Sequence, residues 1–134
     1  MSKSILDASA LLALLKEEPG SEQVIEAITE GAAISTVNFS EVVAKLNEAG
    51  MPEDAIHESL DSLGLEIVDF DSELAYLAGL LRPLTKRAGL SLGDRCCLAL
   101  AQNRNVPVFT TDRQWANLSL SIKIHVLRQR PDPL

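Results

Sequence analysis

The segment of residues 90–112 constrains the fold more than any other part of the chain. Ser91 is a predicted helix N-cap, and Asp94 follows at the spacing of a capping box. The helix that begins there is largely apolar, which favours packing against a sheet. Val106 to Thr111 is a short β-prone run, and Asp112 follows at its carboxyl end. Ligands of open α/β sheets bind outside the carboxyl ends of the strands, so we expect Asp94 and Asp112 near one site.

Short apolar strands alternate with helices along the rest of the chain. The predicted strands cover residues 3–7, 32–37, 65–70, 106–111 and 122–127. Ser21 is the predicted N-cap of the second helix, and the helix after the second strand is predicted from Asn38. Strands that alternate with helices indicate a parallel sheet. The predicted fold class is therefore α/β, a three-layer α/β/α sandwich with a central parallel sheet.

No internal repeat, low-complexity run or linker divides the 134 residues, which predicts one domain, with a loose tail at 128–134. Hydrophobic residues make up 46% of the chain. No apolar run approaches the roughly 20 residues that a membrane span needs. The amino-terminal MSKSILD carries an acid too early for a secretory signal. We therefore expect a cytoplasmic protein with no membrane partner.

The two cysteines, Cys96 and Cys97, are adjacent within the predicted helix. Neighbours on a helix point about 100° apart, so an ordinary disulfide between them is excluded. The sequence also lacks the spaced cysteine and histidine set of a zinc site. Both residues are therefore predicted to be buried, reduced thiols.

Charge is distributed unevenly between the two parts of the chain. The net charge is −7, which by itself argues against a nucleic-acid partner. Residues 1–81 carry three basic and sixteen acidic side chains, whereas residues 82–134 carry nine basic and three acidic ones. A basic rim around an acidic pocket would suit a polyanion that is cut with the help of metal ions. An ordinary solvated basic surface is the alternative.

Four acidic residues stand where a parallel sheet would bring them to one edge. Asp7 and Asp112 end the first and fourth strands, while Glu41 and Asp94 are predicted in the first turns of helices. Each also has a purely structural interpretation: a cap for Asp7, an acid favoured by the helix dipole for Glu41, a capping box for Asp94 and a turn for Asp112. All four landing on one edge by chance is harder to explain.

Carboxylates that gather in one place raise each other's pKa and destabilise the fold, and a divalent cation removes that penalty. Oxygen ligands without nearby histidine or cysteine indicate Mg²⁺ or Mn²⁺. Such an ion activates a water molecule for attack, and a second ion can stabilise the leaving oxygen. The four acids therefore predict metal-dependent cleavage of a phosphodiester.

Four segments carry a resemblance to a known family. They are LDASALLALL at 6–15, NFSEV at 38–42, LSLGDRCCLALA at 90–101 and VFTTDRQW at 108–115. In this order and spacing they resemble the PIN-domain ribonucleases, and more narrowly the VapC toxins of bacterial type II toxin–antitoxin pairs. The resemblance extends to about Leu127.

The resemblance implies an endoribonuclease that depends on Mg²⁺ or Mn²⁺, with tRNA, ribosomal RNA or mRNA as its substrate. The family's acidic quartet falls on Asp7, Glu41, Asp94 and Asp112, with none replaced. The auxiliary hydroxyl that some members place near the metal corresponds to Ser9 or Thr111. The resemblance also implies a cognate VapB-type antitoxin in a groove between helices, and a homodimer. The leucine-rich faces at 11–15 and 42–46 are candidate groove walls, with ordinary core packing as the alternative.

Phosphate contacts are assigned to the basic residues that border the predicted acidic site. They are Arg82, Lys86, Arg87, Arg95 and Arg113. Two of them, Arg95 and Arg113, directly follow an acid of the quartet, so a structural pairing competes with RNA binding for them.

The histidines and the large aromatic residues are not predicted to take part in catalysis. His57 is interpreted as a surface residue, and His125 as the solvent face of the last strand. Tyr76 and Trp115 are isolated, so they provide no platform on which bases could stack.

Two functions outside nuclease chemistry remain open. A Mg²⁺-dependent phosphatase would need an acid as its nucleophile, and the first predicted strand does not end in the paired Asp-x-Asp that often provides one. A non-catalytic binding module, whose acids only bind the antitoxin, would have no need of Mg²⁺.

Overall fold

Five parallel strands form the centre of the computed structural model, which describes residues 1–127. The strands are β1 (Ser4–Leu6), β2 (Ala32–Ser35), β3 (Glu66–Val68), β4 (Val108–Thr110) and β5 (Ile124–Val126). Their order across the sheet is β3-β2-β1-β4-β5. In the central strand, Ile5 pairs with Ala33 of β2 on one side and with Val108 of β4 on the other. The predicted parallel sheet is confirmed.

Helices cover both faces of this sheet. They are α1 (Ala8–Leu15), α2 (Ser21–Glu30), α3 (Thr36–Glu48), α4 (Glu53–Asp61), α5 (Ser72–Leu80), α6 (Arg82–Thr85) and α7 (Leu92–Arg104), with a 3₁₀ helix at Arg113–Asn117. Consecutive residues of a strand point to opposite faces. Accordingly, Ile5 packs in the core with α5 and α7, whereas Leu6 packs with α1 and α2. The three-layer sandwich is confirmed.

The start of α3 differs from the predicted one and moves a candidate site residue. Strand β2 ends at Ser35, whose hydroxyl accepts a hydrogen bond from the backbone N–H of Val37 and caps the helix. The predicted strand ran two residues further, to Val37. Because the helix begins at Thr36, Glu41 lies in its second turn and not in the first.

The amino-terminal ends of α2 and α7 can be compared with the N-caps predicted for them. The N-cap of α2 is Gly20, with φ of 99°, and the predicted cap Ser21 is the first helical residue. A left-handed backbone at this position favours glycine over serine. The capping box at the start of α7 is confirmed, because Ser91 Oγ accepts from the Asp94 N–H and an Asp94 oxygen accepts from the Ser91 N–H.

The 3₁₀ helix was not predicted, and it gives Trp115 a structural role. Trp115 is completely buried in the core that also contains Leu98 and Leu100. It therefore belongs to the hydrophobic core, in agreement with the expectation that it offers no stacking platform. Cys96 and Cys97 are buried and free, as predicted.

Two further predictions concern a membrane-spanning segment and the tail at 128–134. No helix within residues 1–127 is long and apolar enough to cross a membrane. The tail at 128–134, predicted to be loose, lies outside the described residues.

Candidate active site

The predicted acids lie at the carboxyl edge of the sheet, around the point where the strand order reverses. From β1 the chain proceeds to β2 and β3 on one side, and it then returns to β4 and β5 on the other side. Asp7 directly follows β1, and Asp112 lies two residues beyond Thr110, the end of β4. Where the connections from two adjacent parallel strands lead to opposite sides of the sheet, they leave a crevice at this edge, and α/β proteins bind ligands there.

The carboxylate of Asp7 is buried in a network of neutral donors. Asp7 is 5% exposed. Its Oδ1 accepts hydrogen bonds from the Ala10 N–H at 2.8 Å and from Ser9 Oγ at 2.7 Å, and its Oδ2 accepts one from Thr110 Oγ1 at 2.5 Å. Burial raises the pKa of Asp7 to about 6, although these three hydrogen bonds oppose the rise, and the charge of Asp94 adds to it.

The same hydroxyls join the ends of β1 and β4. Thr110 Oγ1 accepts from the Asp112 N–H at 3.1 Å, and Ser9 Oγ accepts from the Thr111 N–H at 3.0 Å. Ser9 was predicted as an auxiliary group, and the structure places its hydroxyl on Asp7. Thr110 was missed in favour of Thr111. The two-residue period of the strand was the available signal, since Thr110 and Val108 are both buried on it.

Glu41 reaches the site from α3 through a buried amide. Asn38 Nδ2 donates to Glu41 Oε1 and to the Gly93 carbonyl, both at 2.9 Å. The Glu41 carboxylate therefore lies against the first turn of α7, next to Asp94. Sequence reasoning missed Asn38, although it stands one helical turn before Glu41, a spacing that places two side chains on one face.

The remaining two acids accept hydrogen bonds from the backbone. Asp94 Oδ2 accepts from the Ser91 N–H at 2.9 Å, and Asp112 Oδ1 accepts from the Gln114 N–H at 2.9 Å. Asp7 likewise caps α1. The cap, the capping box and the turn proposed for these three residues are thus all found in the structure. All three residues nevertheless lie at the edge of the sheet where the acids were expected.

Three of the acids surround one buried thiol. Burial raises the pKa of Cys97 well above its usual value, and the charges of Asp7, Asp94 and Glu41 raise it further. These three carboxylates therefore lie within electrostatic range of a single point beneath the site. Asp112 is joined to Asp7 through Thr110.

Within residues 1–127, none of these acids forms an ion pair with a cationic side chain. The two ion pairs found in residues 1–127 are His57–Asp61 and Arg104–Glu66, and neither includes an acid of the quartet. In the same part of the chain, no three acidic, histidine or cysteine side chains form a ready-made metal site. The donors available are carboxylate and hydroxyl oxygens, which fit a hard divalent cation such as Mg²⁺ or Mn²⁺.

Of the predicted phosphate contacts, Arg95 differs from the others. Its Nη1 donates to the Ala78 carbonyl of α5 at 3.1 Å, so the structural alternative describes it better. The other four basic residues are exposed: Arg82, Lys86, Arg87 and Arg113.

One of the two histidines lies where it was predicted and the other does not. His57 is exposed on α4, as predicted. The prediction for His125 was wrong, because this residue is half-buried and its ring stacks on Phe109 with 4.9 Å between the ring centroids.

Comparison with known proteins gives a family match over most of the chain. The PIN-domain family model matches residues 4–119. A toxin–antitoxin complex from Klebsiella pneumoniae is 20% identical, with a TM-score of 0.75 over 95% of this chain and 99% of that chain. A DNA-bound VapBC from Salmonella typhimurium is 21% identical, with a TM-score of 0.74 over 94% and 98%. VapBC-5 from Mycobacterium tuberculosis is 21% identical, with a TM-score of 0.62 over 96% and 99%.

These structural likenesses show a shared fold. No curated protein is a significant match to the chain.

The raised pKa of Asp7 predicts a pH-dependent stability. Asp7 holds its proton up to about pH 6 when folded, against 3.8 as the ordinary value, so its contribution to stability falls as pH rises through this window. Asn at this position cannot ionise. Between pH 4 and pH 7 in EDTA, the difference in unfolding free energy should move in favour of Asp7→Asn by about 2 kcal/mol, measured by urea denaturation.

The matched control is Asp71→Asn, because Asp71 caps α5 in the same way but is exposed. It shows what the replacement of an exposed capping carboxylate by an amide contributes by itself. Parallel pH profiles for Asp7→Asn and the wild type would contradict the assignment of a raised pKa to Asp7.

Proposed function

The chain belongs to the PIN-domain family, and on that premise we propose that it is a cytoplasmic, single-domain, metal-dependent endoribonuclease of the VapC type. The observation that carries the proposal is the buried Asp7 carboxylate, which has neutral donors, no cationic partner in residues 1–127 and the charge of Asp94 close enough to raise its pKa. A site of this kind favours a divalent cation and, with it, a phosphate ligand.

The residues that would hold Mg²⁺ or Mn²⁺ are Asp7, Glu41, Asp94 and Asp112. When bound, the ion supplies neutralisation of phosphate charge and a lower pKa for a water molecule. Asp94 and Asp112 each accept a backbone hydrogen bond on one carboxylate oxygen, so the other oxygen would be the one offered to the ion.

The chain's own groups orient the reaction. Ser9 and Thr110 fix both oxygens of Asp7, so this carboxylate keeps one orientation. A carboxylate of the quartet would accept the proton of the attacking water. In-line attack on phosphorus would break the bond to the 3′ oxygen, which would take a proton from solvent, so the products would be a 3′-hydroxyl and a 5′-phosphate. The exposed basic residues on the rim would bind phosphates on either side of the cut: Arg82, Lys86, Arg87 and Arg113.

Cleavage of total cellular RNA by the antitoxin-free protein tests this proposal. We expect a few discrete cuts in Mg²⁺ or Mn²⁺ and none in EDTA, with mapped 5′ ends that identify tRNA, ribosomal RNA or mRNA as the substrate. Asp94→Asn should lower the rate at least about 100-fold, because a charged group that acts on the transition state is lost.

Asp71→Asn is again the control, since it alters an exposed cap outside the quartet. Full-rate cleavage by Asp94→Asn, free of contaminating nuclease, would refute the proposed role of Asp94. A protein that binds the metal but cuts no RNA would favour phosphatase chemistry or a non-catalytic module.

The docking surface proposed for the antitoxin is a groove of about 480 Å³. The groove lies between α3, α4 and the edge strand β3, and its apolar floor includes Val43, Leu60 and Ile67. Glu53 and Asp61 stand on its rim. An apolar segment with basic residues, as an antitoxin would offer to an acidic toxin surface, complements both features.

The leucine-rich faces predicted as groove walls are mostly core. Leu11, Val42 and Leu46 are buried, and only Val43 of the faces at 11–15 and 42–46 lines this groove.

Ile67→Glu tests the groove. Ile67 is 46% exposed, and a charge there should weaken binding of the cognate antitoxin at least about tenfold, measured by titration calorimetry. Ile25→Glu is the matched control, because Ile25 is 52% exposed on α2 and does not line the groove. Equal affinities for the two variants would place the antitoxin elsewhere.

The proposed homodimer has a second surface available. Large apolar side chains are exposed along α5, α6 and the start of α7: Tyr76, Leu80, Leu84 and Leu92. Exposed apolar groups in one region indicate a protein interface. Leu92 stands two residues before Asp94, so a second copy bound here would adjoin the acidic site.

Leu80→Glu should therefore convert a dimer into a monomer in sedimentation experiments at micromolar concentration. The reason is that an unpaired carboxylate would be buried against the second copy. Ile25→Glu should sediment as the wild type does. A Leu80→Glu protein that remains dimeric would exclude this face as the interface.

A further inference from the structure

A polar contact between α3 and α7 includes one of the four acids, and the chemistry proposed above gives its other two members no role. It consists of Asn38, the backbone of Gly93 and the Glu41 carboxylate. We propose that Asn38 and Gly93 are positioning residues that hold the Glu41 carboxylate beside Asp94. This inference rests on the proposed metal-dependent function, and it assigns roles to two residues that provide no metal ligand.

Asn38 is buried and has one possible orientation. It is 1% exposed, and its Nδ2 uses both hydrogens, one on Glu41 Oε1 and one on the Gly93 carbonyl. Rotating the amide by half a turn would place Oδ1 against two acceptors and lose both bonds. The contact therefore fixes the distance between the side chain of Glu41 and the first turn of α7.

Gly93 provides space for the Glu41 carboxylate. A Cβ atom built on Gly93 would lie 2.7 Å from Glu41 Oε1 and 2.8 Å from Oε2, which is too close for either atom. Gly93 does not have a positive φ, so its backbone does not require glycine. Glycine at position 93 is therefore explained by space, because the Glu41 carboxylate occupies the volume that a side chain would fill.

Together these contacts restrict a side chain that would otherwise move freely. Glu41 is an exposed residue of α3, and it takes part in none of the ion pairs found in residues 1–127. A long exposed glutamate samples several rotamers, and a metal would have to select one of them. The amide of Asn38 and the space at Gly93 favour one rotamer before any metal binds, so removing either should weaken metal binding.

A double-mutant cycle tests Asn38. Asn38→Ala should raise the Mn²⁺ concentration for half-maximal RNA cleavage, and the dissociation constant for Mn²⁺ measured by electron paramagnetic resonance, about tenfold. In a Glu41→Ala background the same change should add nothing, because Asn38 acts through Glu41. An equal effect on Mn²⁺ binding in both backgrounds would show a merely structural role and overturn the inference.

Gly93→Ala provides an independent variant in case Asn38→Ala folds poorly. It should also weaken Mn²⁺ binding about tenfold, yet without lowering the melting temperature, since alanine favours a helix over glycine and the displaced group is the end of a flexible side chain. Gly79→Ala is the matched control: it is a glycine of helix α5 with no atom within 4 Å of the added Cβ. Wild-type Mn²⁺ affinity in Gly93→Ala would overturn the inference.

The wild-type protein is measured first, which separates the two proposals. A wild type that neither binds Mn²⁺ nor cuts RNA refutes the proposed function, and this inference with it. A wild type that does both, together with unchanged Mn²⁺ affinity in Asn38→Ala and Gly93→Ala, refutes the positioning roles alone.

Discussion

The buried carboxylate of Asp7 is the group on which the rest of the site depends. Burying a carboxylate is costly unless it is paired or hydrogen-bonded. Asp7 bears this cost, whereas Glu66, whose side chain is 41% exposed, largely avoids it. Hydrogen bonds from Arg104 lower the pKa of Glu66 to about 2 near the amino ends of the strands. Asp7 receives hydroxyl and backbone donors instead, and its pKa rises to about 6. The negative charge of Glu66 is thus already balanced by Arg104, whereas the charge of Asp7 has no ion-pair partner in residues 1–127 and is available to a cation.

The sheet order explains why residues far apart in the chain converge on Asp7. Strands β1 and β4 are neighbours, so Thr110 can donate to a carboxylate 103 residues earlier. The hydroxyls of Ser9 and Thr110 both donate to Asp7 after β1, and they accept hydrogen bonds from the backbone that follows β4. They therefore hold the two strand ends together. Glu41 lies on α3, the helix that follows β2. Its carboxylate reaches the first turn of α7, where Asn38 holds it.

Much of this arrangement could be predicted from the sequence, because it follows from local rules. Alternating strands and helices gave the parallel sheet, and the Ser91 capping box placed α7 correctly. The parts that could not be predicted depend on contacts between distant elements. The strand period indicates that Thr110 is buried, but no local rule indicates that its hydroxyl reaches Asp7, or that Gly93 leaves room for Glu41. The start of α3 was missed for a smaller reason, since Ser35 fits a strand end and a helix cap equally well.

Three acids of the quartet also serve the backbone: Asp7, Asp94 and Asp112 accept hydrogen bonds from helical or turn N–H groups. Asparagine accepts such bonds about as well as aspartate does. A single exchange of acid for amide at one of these positions would therefore remove a negative charge and keep the local backbone bonds. Descendants of such a chain can lose their chemistry in one mutational step and still retain the shape that a protein partner recognises.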